Sequence, residues 1–462
     1  MLPLSYHSLV FDAPRALPEI LRIALRQPFA VFFDSALGNG DSFLSFAPIM
    51  LLQCTGQSAL FQRGKHASQL EGDPLAVFQR VERFTQQECP LVQPVNESGF
   101  WGGWAGLLGF ELRTSIESLP PPKPDGPSFP DLQAGFYPWV LRFPPRGKPE
   151  LRLLAGAPGG PKDIQWLAGD LHALFEKPLP ADGPTTLAPP QFSTDRPGFE
   201  AGVSAIQHAI YEGEIYQANL TREVVCAGQA DAVALYGRLR AGNAAPYAGY
   251  LDCGNRRAVL SSSPESFLQV QAGVVTTRPI KGTIRRGSNE QHDAAQRAAL
   301  LASVKDRAEL TMIVDLERND LSRVCVPGSV AVPELCGLHS FERVHHLQAT
   351  VQGQLRPGVT PHDLIRATFP GGSISGAPKK RALQILHGLE PVRRGPYTGG
   401  MFWLSPNGDL QANVLIRTLL VEPDRVSFHV GGGITAASDP AAEWDETVAK
   451  GAALQDLLED RA

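Results

Sequence analysis

Lys281 stands in the run Arg278-Pro279-Ile280-Lys281-Gly282-Thr283-Ile284-Arg285-Arg286-Gly287, which reads as a tight, glycine-flanked turn of an extended segment. A lysine held rigidly beside other cations can lose its proton near neutral pH and act as a nucleophile. Seen alone, a loop lysine is far more often simply solvated. Its neighbours alter that reading. Ser261-Ser262-Ser263-Pro264-Glu265-Ser266-Phe267, just upstream, offers a carboxylate. Asp306 and Glu309, three residues apart, share one face of a helical segment that continues through Met312, Ile313 and Leu316. Glu443 and Glu446 repeat the arrangement near the C-terminal end. Like charges at that spacing disfavour a helix unless something positive sits between them. Two such faces converging would suit magnesium, which takes few carboxylates and keeps part of its water. Taken singly, each is an ordinary solvated helix surface.

Cationic and anion-binding groups follow. Arg417 lies amid apolar residues read as a strand, where a buried guanidinium needs a partner. Lys450 comes four residues after Glu446, on the same helix face. Gly431-Gly432-Gly433 offers bare backbone that can approach a ligand closely or donate N–H groups to a carboxylate. His345-His346 can supply one hydrogen-bonding imidazole, though a packed structural histidine reads equally well. Arginine, lysine and a glycine nest together suit a small polycarboxylate.

The elements that must position these groups belong to a chain of 462 residues, long enough for two or three cores. Hydrophobic content of 43%, charged content of 19% and a formal net charge of -5 describe a globular protein without the basic balance of a nucleic-acid binder. No apolar run reaches the roughly 20 residues that span a bilayer, so no membrane association is expected. The segment Met1 to His7 has no secretory pattern. Six scattered cysteines suggest reduced thiols and a cytoplasmic setting. Residues 177–197, rich in proline and small polar residues, read as a linker between an N-terminal region, 1–176, and a C-terminal region, 198–462. Gly102 to Glu111 lacks the ending of a phosphate loop, so its glycines are read as closely packed strand residues. A helix is expected from Asp195-Arg196-Pro197, with Phe199, Val203, Ile206 and Ile210 facing the core. Strands and helices alternate without a regular βαβ rhythm, which gives an α+β fold dominated by antiparallel sheet.

Several of these runs together resemble the chorismate-utilising enzymes. They are Ser262-Ser263-Pro264-Glu265, Pro279-Ile280-Lys281-Gly282-Thr283, Lys305-Asp306-Arg307-Ala308-Glu309, 315–321 (DLERNDL), 369–379 (FPGGSISGAPK) and Glu443-Trp444-Asp445-Glu446-Thr447. The resemblance is strongest from Gly198 onward and looser before it, and it implies a two-layer fold like that of anthranilate synthase component I. Lysine at 281 is similar to the aminodeoxychorismate synthase branch, where anthranilate synthases usually carry alanine. Isochorismate and salicylate synthases place a water-activating lysine where this chain has Gln217. Two departures from the family pattern are Asn243-Ala244-Ala245-Pro246-Tyr247 and Phe402, where a second proline and a glycine are usual.

The resemblance implies an activity and roles. Chorismate and ammonia would give 4-amino-4-deoxychorismate, on the way to para-aminobenzoate and folate. Lys281 would be the nucleophile and Glu265 the general acid. Mg2+ would be held by Glu309 and Glu446, with Asp306 and Glu443 acting through water. Arg417, Tyr397, Gly431 and Lys450 would bind carboxylates, with His346 beside the ring and Gly282 and Thr283 completing the wall. A separate glutamine amidotransferase subunit would supply ammonia. Ser35, Pro246 and Tyr247 occupy the place where several relatives bind tryptophan. The alternatives are anthranilate synthase component I, or a catalytically silent subunit that only binds a partner.

Overall fold

In the computed structural model the described residues are 4–90, 97–341 and 344–459. The first three residues of the Met1 to His7 segment lie outside them. Among the described residues the strands form two antiparallel sheets, one of 13 strands and one of 12. No helix among them is long and apolar enough to cross a membrane.

Both sheets draw strands from both sides of the proline-rich segment at 177–197. In the larger sheet Val31–Asp34 pairs with Tyr247–Gly254, and in the smaller Gly103–Leu108 pairs with Gly400–Leu404. The segment itself is partly extended: Thr186–Leu187 and Gln191–Phe192 each pair with the long strand Gln217–Gln229. The two sequence regions therefore share their sheets. A core of Val31, Phe43, Leu107, Val259, Trp403 and Leu420 fills the space between the sheets. Helices cover the outer faces over two further apolar clusters. Close strand packing explains the glycines at 102–109, since a Cβ on Gly106 would lie 1.9 Å from the Gln133 carbonyl oxygen.

Local signals set the helix starts. Asp195 caps Arg196–Tyr211 by accepting from the Gly198 N–H. Phe199, Val203 and Ile206 are buried beneath that helix, while Ile210, near its end, is only half-buried. Ser303 caps Val304–Ser322 and Asp439 caps Pro440–Leu458 in the same way. These last two helices carry the paired acidic residues.

Two of the points where the chain crosses from one sheet to the other are neighbours. Arg257–Ser263 belongs to the larger sheet and Ser266–Gln271 to the smaller, so Glu265 sits in the crossing. Arg417 sits in the second crossing, between Leu410–Asn413 and Thr418–Val421. The Ser262 N–H donates to the Arg417 carbonyl at 3.1 Å and ties the crossings together. Backbone that leaves a ladder in this way has side chains free to converge on a cavity.

Candidate active site

Two of the sequence expectations need correcting. Lys281 is in a strand, Ile280–Arg285, and not in a turn. It pairs with Leu347, while Thr283 pairs with His346, so a bulge falls at Gly282. Gly282 has φ +73°, a conformation that favours glycine, and the bulge swings Lys281 inward. A Cβ on Gly282 would also meet the Asp306 side chain at 2.9 Å, so the missing side chain lets the acidic helix pack against the strand. Arg417 lies in a bend at φ +50° rather than within a strand, and it is exposed on the cavity wall instead of buried. Among the described residues no carboxylate forms a salt bridge with it, so its guanidinium lines the cavity without a counter-ion.

One cavity of about 690 Å³ gathers the expected groups. Lys281, Glu265, Asp306, Glu309, Glu443 and Glu446 line it, together with Gly282, Thr283, His346, Tyr397, Arg417, Gly431 and Lys450. The two acidic helices, which sequence could not show to meet, do meet there. Lys305 Nζ lies 4.0 Å from Glu309 Oε1 and 3.7 Å from Glu443 Oε1. Lys450 pairs with Glu446 at 2.7 Å and donates to the Gly431 carbonyl at 3.0 Å. Among the described residues the acids do not close into a ready three-ligand metal group. Glu309 Oε1, however, is buried and has no hydrogen-bond partner.

Lys281 and Glu265 meet through one serine. Ser373 Oγ donates to Glu265 Oε1 at 2.6 Å, and the Ser373 carbonyl accepts from Lys281 Nζ at 3.3 Å. Burial pushes the Lys281 pKa down against the pull of Glu309, with Lys450 pushing the same way. Burial pushes Glu265 up, against the Ser373 bond and Lys281. Both shifts favour uncharged forms: an amine that can attack and a carboxyl that can give a proton. Burial also raises Glu309, opposed by Lys281 and Lys305. It would raise Glu446 too, but the adjoining Lys450 reverses this and holds that carboxyl below its ordinary range. His346 is pushed down to about 4 by burial and by Arg417, and its Nδ1 shares a 2.7 Å hydrogen bond with Thr283 Oγ1. It is a neutral imidazole at physiological pH.

A family model described as chorismate binding enzyme matches residues 21–456. The chain belongs to the chorismate-binding enzymes. It is 35% identical over 429 residues to aminodeoxychorismate synthase component 1 of Klebsiella aerogenes, covering 92% of each chain. It is 32% identical to anthranilate synthase component 1 of Spirochaeta aurantia, over 86% of this chain and 83% of that one. The crystal structure of anthranilate synthase component I from Streptococcus pneumoniae TIGR4 superposes with a TM-score of 0.78 at 26% identity, covering 90% of this chain and 92% of that one. The α+β fold expected of a chorismate-binding enzyme is thus the fold observed.

Sequence reasoning missed several lining residues of this chorismate-binding enzyme. Ser373 lies inside the 369–379 run with no signal of its own, and nothing in a serine's neighbours announces a contact 108 residues away. Asn219 and Lys305 also line the cavity. His429 could have been found, because the period of two in a strand puts it on the same face as Gly431 and Gly433. Its ring stacks on Tyr397 with centroids 5.3 Å apart. Gln217 is fully buried with both amide atoms unpaired. A Cβ on Gly433 would lie 2.7 Å from its Nε2 and 3.3 Å from Lys281 Nζ, so that glycine leaves room for both. Ser35, Pro246 and Tyr247 are near one another but are not part of the cavity lining. The Ala36 N–H donates to the Ala245 carbonyl at 3.2 Å, and Ala248 pairs with Asp34. Ser35 Oγ is engaged by Asn39 at 2.9 Å.

The serine bridge has a pH consequence. The Ser373 hydroxyl stabilises the Glu265 carboxylate, so Ser373→Ala raises the Glu265 pKa further. An acid with a raised pKa stays protonated to higher pH. The alkaline limb of turnover, measured at constant free ammonia, is therefore expected to move upward in the variant. A limb that stays put or moves down would detach Ser373 from any acid role of Glu265.

Proposed function

We propose that this chain is the chorismate-converting component of an aminodeoxychorismate synthase, acting through Lys281 and Glu265. The observation that carries the reading is the placement of Lys281 and Glu265 on one serine, in a cavity whose walls present Arg417 and Lys450, with burial shifting both groups toward their uncharged forms. Lys281 Nζ attacks C2 of chorismate as the ring double bonds shift and the C4 hydroxyl departs. Glu265 gives that hydroxyl its proton, and it leaves as water. Ammonia then attacks C4, the double bonds shift back, and the C2 bond to Lys281 breaks. Glu265 recovers a proton from the new ammonium group. The balance is chorismate plus ammonia to 4-amino-4-deoxychorismate plus water, with one hard displacement divided into two easier ones.

Arg417, Lys450, Tyr397 and the Gly431 backbone bind the substrate carboxylates in this reading. Neutral His346 lies along the ring, and Gly282 and Thr283 form the adjoining wall. The carboxylates of Glu309 and Glu446 would hold Mg2+, with Asp306 and Glu443 reaching it through water. The buried Glu309 Oε1, which has no hydrogen-bond partner, is the feature that fits a cation there. When bound, the ion supplies positive charge toward the ring carboxylate and polarises the diene. Glu446→Gln is expected to weaken magnesium binding at least tenfold by calorimetry and to lower turnover at limiting magnesium. An unchanged magnesium titration would remove Glu446 from the ligand set.

Ammonia comes, in this reading, from a separate glutamine amidotransferase subunit. All six cysteines are buried, and burial raises the thiols of Cys54, Cys89, Cys226, Cys253 and Cys325, so none of these five is poised as a glutaminase nucleophile. Unpaired thiols also suit a cytoplasmic enzyme. The neighbourhood of Ser35, Pro246 and Tyr247 would be the place for a tryptophan ligand. Mass analysis of products from chorismate, magnesium and ammonium tests the main reading. Exchange of hydroxyl for amine with the enolpyruvyl group retained is the expected result. Anthranilate with free pyruvate would overturn it in favour of the second reading, anthranilate synthase component I.

A further inference from the structure

Behind the cavity, and outside its lining, lies Arg394, only 1% exposed. All five of its side-chain N–H groups are used. Nε donates to Glu390 Oε2 at 3.0 Å, and one terminal nitrogen donates to Glu390 Oε1 and to the Asn219 carbonyl, both at 2.6 Å. The other terminal nitrogen donates to the Ile374 carbonyl at 3.1 Å and to Thr398 Oγ1 at 3.2 Å. The guanidinium also rests on the Phe110 ring, 4.3 Å from its centroid, as a cation–π contact. Glu390 completes the cluster by accepting from the Thr221 N–H at 3.1 Å and its hydroxyl at 3.0 Å.

The acceptors belong to three separate walls of the cavity. Asn219 and Ile374 line it directly, and Thr398 follows the lining residue Tyr397. Ile374 also follows Ser373, whose two bonds join Glu265 and Lys281. We propose that Arg394 is a positioning residue for the reaction, one rigid fork that fixes the Ser373–Glu265 bond, the Asn219 wall and the Tyr397 ring relative to one another. Only a guanidinium presents five donors in a fixed plane, so lysine can keep the charge opposite Glu390 but cannot hold all the walls. The proposal rests on the reading of Lys281 as nucleophile and Glu265 as acid. The substrate-binding cations, Arg417 and Lys450, lie outside the fork, so its loss should reach the chemical step more than binding.

The test compares Arg394→Lys with Arg152→Lys in the full chain. Arg152 is equally buried and bonded to Glu150, Glu97 and the Phe100 carbonyl, but it lies in the strand Glu150–Ala155, away from the cavity. It reports what losing a buried arginine does by itself. Turnover of chorismate is measured at saturating ammonia and magnesium, below the melting temperature of each variant. Arg394→Lys is expected to lower kcat at least tenfold with KM for chorismate within threefold, and Arg152→Lys to leave kcat within twofold. Equal losses in the two variants, or a loss confined to KM, would overturn the proposal. Glu390→Gln serves if Arg394→Lys does not fold; its kcat should fall at least threefold at unchanged KM, and an unaltered kcat overturns the proposal equally. A parent chain that makes no product would count against the functional reading alone. Hydrogen exchange then decides the fork without turnover: peptides covering 216–222 and 371–378 should exchange at least tenfold faster in Arg394→Lys, with the strand Met50–Thr55 unaffected. Unchanged exchange in both peptides would overturn the proposal.

Discussion

Lys281→Ala is expected to abolish the covalent adduct with chorismate and to lower ammonia-dependent turnover by about 10⁴-fold or more, the scale of loss when an enzyme's nucleophile is removed. In the proposed reaction this amine forms the bond to C2, and it touches the same serine as Glu265, the proposed acid. Truncation leaves Arg417, Lys450 and the two acidic helices in place, so chorismate should still bind. Intact-protein mass after mixing with chorismate, without ammonia, reads the adduct directly. An adduct that persists in the variant would take the nucleophile role from Lys281. Loss of binding as well as turnover would show instead that the lysine acts by holding the substrate.

Glu265→Gln is expected to lower kcat by roughly 10²- to 10⁴-fold, the usual contribution of a positioned general acid, with little change in KM. The substitution keeps the shape and leaves an oxygen to accept from Ser373, so packing is preserved while the transferable proton is lost. The alkaline fall in turnover should disappear with it. Burial raises the Glu265 pKa, and a general acid at this position would act only while protonated, so activity of the parent is expected to decline as pH rises through that raised value. In the variant nothing at this position titrates. A pH–rate profile of Glu265→Gln that retains the same alkaline limb would assign that limb to another group. Undiminished turnover would exclude Glu265 as the acid.

The groups behind these expectations are legible in the order of residues because their chemistry is local. Asp306 with Glu309, and Glu443 with Glu446, share a helix face because the helical repeat brings residues three apart together. Asp195 and the buried Phe199, Val203 and Ile206 likewise follow from capping and periodicity. Ile210 faces the same core as periodicity predicts, although it is only half-buried near the helix end. The resemblance of the motifs then linked Lys281, Glu265 and the acids to one chemistry, and a single cavity holds all of them.

Long-range order had to come from the folded chain. The bulge at Gly282 exists only because Ile280–Arg285 pairs with Val344–Gln354, a ladder whose register no local pattern encodes. The same applies to Arg417, which a run of apolar neighbours suggested was in a strand and the crossing between sheets puts in a bend at the cavity wall. Ser373 and Arg394 acquire their roles from partners 108 and 175 residues distant. Residue order thus singles out the groups to which the chemistry is assigned and the helix faces that present them. Folding adds that the two acidic helices meet, that regions on either side of the proline-rich segment share both sheets, and that one serine joins Lys281 to Glu265. The physical reason is that hydrogen-bond register and side-chain packing between distant strands are satisfied only when the whole chain is in place.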